Sequence, residues 1–246
     1  MPTYLILGAT GGIGAALTRK LAPTADLVLG ARTESDLRAL ADETGATAHT
    51  LDATQYDEVQ GIVDAAAEQH GQIDGAINLV GSILLKPAHL TSTDEFAETI
   101  ALNLNSAFFL VKAAARAMQR NKNPEGGSIV LMSSVAAQLG LSNHEAIAAA
   151  KGGINGLTKA AAASYAPRQI RVNAVAPGLV RTPMSKRLTS SEAAEKASAQ
   201  MHPLGRIGEP DDLVDALQFL LDREQSAWVT GQVLSVDGGF ATVRPR

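Results

Sequence analysis

Residues 4–8 (YLILG) form a short, uninterrupted apolar run, and the chain leaves it through a cluster of glycines into a helix-patterned stretch at 15–21. A run without polar alternation belongs to a strand covered on both faces, the environment of a parallel sheet rather than a solvent-facing hairpin. Similar runs return at 27–31, 73–80, 128–132, 170–175 and 233–236, with a weaker candidate at 47–51. Between them the apolar residues switch to helical period. Val59, Ile62, Val63 and Ala66 fall at i, i+3, i+4 and i+7, as do Leu213, Ala216, Leu217 and Leu220. Ser92 with Glu95, and Thr189 with Glu192, have the spacing of a capping box. Parallel strands need crossovers, so the alternation predicts an α/β chain: a doubly wound, seven-stranded parallel sheet with helices on both faces.

Composition narrows the function classes. At 246 residues and 46% hydrophobic, the chain can bury a core without a disulfide or metal staple. Cysteine is absent, which removes zinc ribbons, iron–sulfur clusters and thiol nucleophiles together, and no metal site is expected. With 21 basic against 25 acidic residues the net charge is −4, which offers nothing to a nucleic-acid backbone. The first basic residue is Arg19, so the start lacks the charged region of a signal peptide, and no apolar run approaches the ~18 residues of a membrane span. A cytoplasmic protein is expected. No repeat or linker divides the chain, so one domain is expected over 1–246. The least regular stretch, 177–210, is rich in Pro, Gly, Ser and charge, and reads as a substrate lid around 179–208.

The glycine cluster is Gly8-Ala-Thr-Gly-Gly12-Ile-Gly14. Glycines between a first strand and a first helix let the backbone turn tightly and approach a pyrophosphate, which then rests on the free N–H groups of the helix N-terminus. The spacing is G-x-x-x-G-x-G. Further along stand Leu51-Asp52-Ala53, Asn78-Leu-Val-Gly81, Leu102-Asn103-Leu104, Ser133-Ser134, Arg171-Val-Asn173-Ala-Val-Ala-Pro177-Gly178, Pro203-Leu-Gly205-Arg206 and Val236-Asp237-Gly238-Gly239. In kind and order these motifs resemble the classical branch of the short-chain dehydrogenase/reductase family over essentially the whole chain. The resemblance implies a single-domain Rossmann fold binding a nicotinamide dinucleotide. It implies a phosphate loop of Gly8, Thr10, Gly11, Gly12, Ile13 and Gly14, and contacts to the adenine from Asp52 with Ala53. Asn78 and Gly81 match a variant of the family's N-N-A-G motif, and Pro177, Gly178 and Thr182 are expected to flank the nicotinamide. The 2′ position can be argued directly. Strand two ends Leu29-Gly30-Ala31-Arg32-Thr33, without the carboxylate that accepts from both ribose hydroxyls in NAD sites. Arg32 instead offers a guanidinium fork to a 2′-phosphate, so NADP(H) is favoured over NAD(H).

The catalytic set has a gap. The family's mechanism places a Tyr four residues before a Lys, a Ser about thirteen before the Tyr, and an Asn on the preceding helix. The Tyr exchanges a proton with the substrate oxygen; the Lys lowers the Tyr pKa and holds the nicotinamide ribose; the Ser orients the substrate. By position the Lys is Lys151, the Ser is Ser134 and the Asn is Asn103, but the Tyr position holds Ile147. Tyr4, Tyr56 and Tyr165 are followed four residues on by Gly8, Gln60 and Gln169, so no Tyr-x-x-x-Lys exists. Losing a positioned acid costs about 10² to 10⁴ in rate. His144, seven residues before Lys151, would share a helix face with it if the helix reaches back that far, and an imidazole can donate a proton. The adjacent Glu145 would need a strongly raised pKa to do so.

Two readings follow. One is an NADP(H)-dependent oxidoreductase acting on a small carbonyl, alcohol or enone, its proton coming from His144, from a water held by Ser134 and Lys151, or from the substrate. The other is a catalytically silent dinucleotide-binding protein, a sensor or partner subunit. Lys186, Arg187 and His202 lie in or beside the lid and assign no substrate. Classical members pair the helices that correspond here to 105–120 and 146–165, so the resemblance implies a homotetramer, or a homodimer, without nucleic-acid or membrane partners.

Overall fold

The computed structural model describes residues 1–121 and 126–244. Its strands are β1 (Thr3–Leu7), β2 (Asp26–Ala31), β3 (Thr47–Thr50), β4 (Gly75–Asn78), β5 (Gly127–Met132), β6 (Ile170–Pro177) and β7 (Val233–Val236). They form one seven-stranded sheet in the order β3-β2-β1-β4-β5-β6-β7. Each pairing is parallel. The chain winds outward from β1 to β3, then returns beside β1 with β4 and winds the other way. The carboxyl ends of β1 and β4 therefore part their connections to opposite faces and open a crevice between them.

The strand ends follow local hydrogen bonding. The apolar pattern at 73–80 yields only the short β4, because neighbouring side chains intercept the ladder. Asn121 Oδ1 takes the Ile73 amide at 3.2 Å, and Asn78 Oδ1 takes that of Val80 at 2.9 Å. β6 runs two residues past the pattern at 170–175, since Ala176 and Pro177 lie in register with Ser235 and Val236 of β7.

The helices are α1 (Gly12–Leu21), α2 (Glu34–Thr44), α3 (Tyr56–His70), α4 (Thr93–Ile100), α5 (Ser106–Met118), α6 (Glu145–Tyr165), α7 (Glu192–Gln200), α8 (Pro210–Leu221) and the single turn α9 (Arg223–Ser226). A π-turn, Ala101–Asn105, joins α4 to α5 without a break in the helix. Because strand side chains alternate, Leu5 and Leu7 enter the core shared with α3, α5 and α6. Tyr4 and Ile6 enter the one shared with α1, α2 and α8. Each fully buried Leu or Ile stabilises the fold by about 1.5–3 kcal/mol. The capping box at Ser92 and Glu95 forms as expected. That at Thr189 does not: Ser191 caps α7, its Oγ accepting the Ala194 amide at 3.2 Å, while Thr189 belongs to a 3₁₀ turn, Lys186–Thr189.

Candidate active site

At Gly8 and Gly14 the glycine loop is shaped by contacts that exclude a side chain. Gly8, at φ +78°, would set a Cβ 2.9 Å from the Leu79 carbonyl carbon and the Val80 nitrogen, because the turns after β1 and β4 touch. A Cβ on Gly14 would collide with the Gly8 carbonyl oxygen and lie 2.8 Å from that of Ala9. The start of α1 thus lies tight against the loop, with its first N–H groups free of intrahelical partners. The segment after β6 also reaches this loop: a Cβ on Gly12 would stand 3.0 Å from Thr182 Cγ2.

A cavity of about 380 Å³ opens over the loop. Gly8, Thr10, Gly11, Gly12, Ile13 and Gly14 line it from β1 and α1; Gly81 and Asn103 from β4 and the π-turn; Ser134, Ile147 and Lys151 from β5 and α6; Pro177, Gly178 and Thr182 from the lid side. A second cleft of about 170 Å³ shares Gly8, Thr10, Gly11 and Gly81 with it and continues past Arg32, Asp52 and Ala53. The two together make an elongated site with the expected adenine residues at one end and Lys151 at the other. Asp52 is held by the Thr54 amide at 2.9 Å and its hydroxyl at 2.8 Å, which, with the Arg32 charge as a smaller cause, keeps its carboxyl below the usual range.

Asn78 departs from expectation. It is 2% exposed and turned inward, donating to Ser106 Oγ at 2.9 Å while accepting the Val80 amide, and it is not among the residues lining either cleft. Its role is to hold the turn that delivers Gly81.

Lys151 and Asn103 meet over Gly81. A Cβ there would lie 2.7 Å from Asn103 Oδ1 and 3.6 Å from Lys151 Nζ. The Asn103 amide is fully engaged, taking the Ser82 amide at 3.2 Å and donating to Ser82 Oγ at 3.1 Å and to Thr99 O at 2.9 Å. Ser82 lines the cavity and was missed in the sequence; its signal is a hydroxyl directly after Gly81. Lys151 Nζ donates to Met132 O at 2.8 Å. An ammonium has three donors, so two remain for an occupant. Burial pushes this ammonium down to about 8. Ser134 takes an extended backbone, its Oγ accepting the Ala136 amide at 3.1 Å, which leaves the hydroxyl proton to be donated.

Ile147 lines the same cavity, 5% exposed, one helical turn before Lys151. No tyrosine does so among the described residues: Tyr4 is in β1, Tyr56 opens α3 and Tyr165 ends α6. His144 is not brought in either. The helix begins at Glu145, His144 has φ −111° and ψ 13°, and its Nδ1 pairs with Ser142 O at 2.7 Å. The two-turn spacing to Lys151 therefore does not put both on one helix face, and His144 is not among the cavity's lining residues. Glu145 lines a separate cavity with Phe96. Lys186 and Arg187 are exposed on the 3₁₀ turn, whereas His202 is buried. Apart from Ser133 and Ser185, the remaining lining is apolar and includes Leu79, Ile83, Leu179 and Met184.

A family model described as "Enoyl-(Acyl carrier protein) reductase" matches residues 8–241. The chain belongs to the classical short-chain dehydrogenase/reductase family. It is 36% identical over 247 residues to trans-4-hydroxycyclohexanecarboxylate dehydrogenase of Sinomonas cyclohexanicum, covering 96% of this chain and 91% of that one. Among solved structures, a short-chain type dehydrogenase/reductase from Mycobacterium ulcerans superposes with a TM-score of 0.92 at 31% identity, covering 98% of this chain and 90% of the other. ElxO with NADP bound gives a TM-score of 0.89 at 28% identity, covering 97% and 98%. These relatives place the chain among oxidoreductases, and its glycine cradle fits a nicotinamide dinucleotide. Among the described residues no cluster of His, Asp or Glu could hold a metal ion, and no helix is long and apolar enough to cross a membrane.

Proposed function

We propose that this short-chain dehydrogenase/reductase is an NADP(H)-linked oxidoreductase for a small, uncharged carbonyl, alcohol or enone, whose proton comes from a water held by Ser134 and Lys151. The observation that carries this is the convergence of Ser134, Lys151, Asn103 and the glycine loop on one cavity whose wall at the tyrosine position is Ile147. The glycine loop and the α1 N-terminus would hold the pyrophosphate, Asp52 and Arg32 the adenosine end, and Lys151 the ribose beside the nicotinamide. Bound NADP(H) supplies the hydride.

The chain's own residues supply the rest. Ser134 has a hydroxyl proton to orient a substrate oxygen. Lys151, with its ammonium near 8, gives up and regains a proton close to neutrality and has donors left to fix a water. His144, bonded to its own loop, is the weaker donor. Ile147 with Ile83, Leu179 and Met184 offers an apolar wall, which favours an uncharged substrate. Preference for NADP(H) over NAD(H) is supported by Arg32 in the adenosine cleft and by the NADP bound to ElxO. Assembly as a homotetramer, through the outer faces of α5 and α6, is supported by half-exposed Phe108 on α5 and the open space over Gly152 and Gly156 on α6.

The test is NADPH oxidation followed by absorbance over a panel of ketones, quinones and enones, with wild type and Ile147→Tyr side by side. Turnover by wild type, surviving His144→Ala, is the expected result. Turnover by the tyrosine variant alone would make the native protein a silent dinucleotide binder, the reading that Ile147 itself favours.

A further inference from the structure

We infer that His202, neutral and protonated on Nδ1, is a positioning residue that clasps the lid to the backbone beside the nicotinamide position, and that acid releases the clasp. The clasp is read from this chain's geometry; its effect on cofactor rests on the function proposed above.

His202 follows α7 and is 2% exposed. Its Nε2 lies 3.1 Å from the Leu179 amide nitrogen, and its Nδ1 lies 2.8 Å from the Ser198 carbonyl oxygen. A backbone amide only donates and a carbonyl only accepts, so the two neighbours together dictate a lone pair on Nε2 and a proton on Nδ1. The other neutral tautomer mismatches both bonds. The imidazolium mismatches one, setting its Nε2–H against the Leu179 N–H.

The bond is well placed to matter. The Leu179 carbonyl accepts the Gly208 amide at 2.8 Å, so this residue is pinned on both sides, and Gly178 and Leu179 both line the main cavity. A Cβ on Gly178 would stand 2.6 Å from Nε2, so the ring packs directly on the cavity wall. Ser198 belongs to the lid helix α7, and Phe240 packs on the ring at 5.1 Å between centroids. One side chain therefore joins the lid helix, the segment after β6 and the C-terminal loop.

Among the described residues no charged neighbour hydrogen-bonds the ring. Asp237, after β7, spends its carboxylate on the amides of Gly239 and Ala241. Arg206 and Asp212, which share a cavity of about 140 Å³ with the ring, pair with each other. On α7, Glu195 is held by Arg181. Protonation thus trades a hydrogen bond for a buried clash of donors.

NADP⁺ affinity is measured by calorimetry at about pH 8 and about pH 5.5. Wild type should weaken on acidification about tenfold more than His202→Gln, whose amide oxygen can accept the Leu179 amide without titrating. The 2′-phosphate of NADP⁺ also titrates, but equally for both proteins. Equal pH dependence in the two would overturn the proposal. A cofactor-free measurement covers the case in which the variant misfolds or NADP⁺ does not bind. Imidazole ¹⁵N shifts of wild type should report the Nδ1–H tautomer at high pH, with the Leu179 amide shifting when acid protonates the ring. An Nε2–H tautomer, or a Leu179 amide indifferent to that titration, would refute the clasp.

Discussion

The two ends of the site are held by different forces. The cofactor end, where β1 and β4 part, is set by packing. Gly8, Gly14 and Gly81 are places where a methyl group would meet backbone or a fixed side chain at under 3 Å. The end facing the expected lid is held by polar contacts, exposed at Arg181 and buried at His202. Arg181 reaches Glu195 on α7 at 2.7 Å and Glu209 ahead of α8 at 2.9 Å, and His202 holds Leu179. Packing of this kind is indifferent to salt, whereas exposed ion pairs are screened by it.

The sharpest way to break the cofactor end is Gly14→Ala. Its methyl must displace the Gly8 and Ala9 carbonyls, so stability should fall by about 3 kcal/mol and dinucleotide binding should be lost. Thermal unfolding and NADPH fluorescence titration check both, and tight binding by the variant would mean the loop yields more easily than its contacts imply.

Lys151 stands between the two ends, and its burial carries a stability cost that pH can reveal. The folded state holds this proton less tightly than the unfolded chain, about 8 against 10.5. Between those values the unfolded chain binds more protons, so this group's contribution to stability rises with pH there and is unfavourable, by roughly 3 kcal/mol, below about 8. Lys151→Met should therefore be more stable than wild type at neutral pH, with the gap closing toward pH 10.5, while losing cofactor affinity. Urea unfolding of both proteins across that range measures the difference; a constant gap would contradict the burial argument.

Arg181→Ala should have the smallest effect. Its pairs are exposed, so unfolding should hardly change, but a loosened lid should raise the Michaelis constant by about threefold. High salt should reproduce the change in wild type and add nothing in the variant. A lid variant that altered unfolding as much as Gly14→Ala would erase the contrast between the two ends.

Short-range periodicity and glycine spacing made the sheet and the glycine turn after β1 legible in the sequence, because each depends on residues close in the chain. Ile147 was legible for the same reason: four positions before Lys151 is a local relation within one helix. Other assignments depended on partners far away. Asn78 reads as a cofactor contact until Ser106 takes its amide from another helix. His144 reads as a proton donor until Ser142 O holds its ring and the helix starts one residue too late. His202 assigns nothing in the sequence until Leu179 and Phe240 enclose it.

The sequence by itself thus determined which backbone this protein builds and that its tyrosine is missing. Only the tertiary structure decided which polar side chains face the cavity and which are spent on holding it together. A side chain's direction depends on the partners that satisfy its hydrogen bonds once water is gone, and those partners are assembled by the fold.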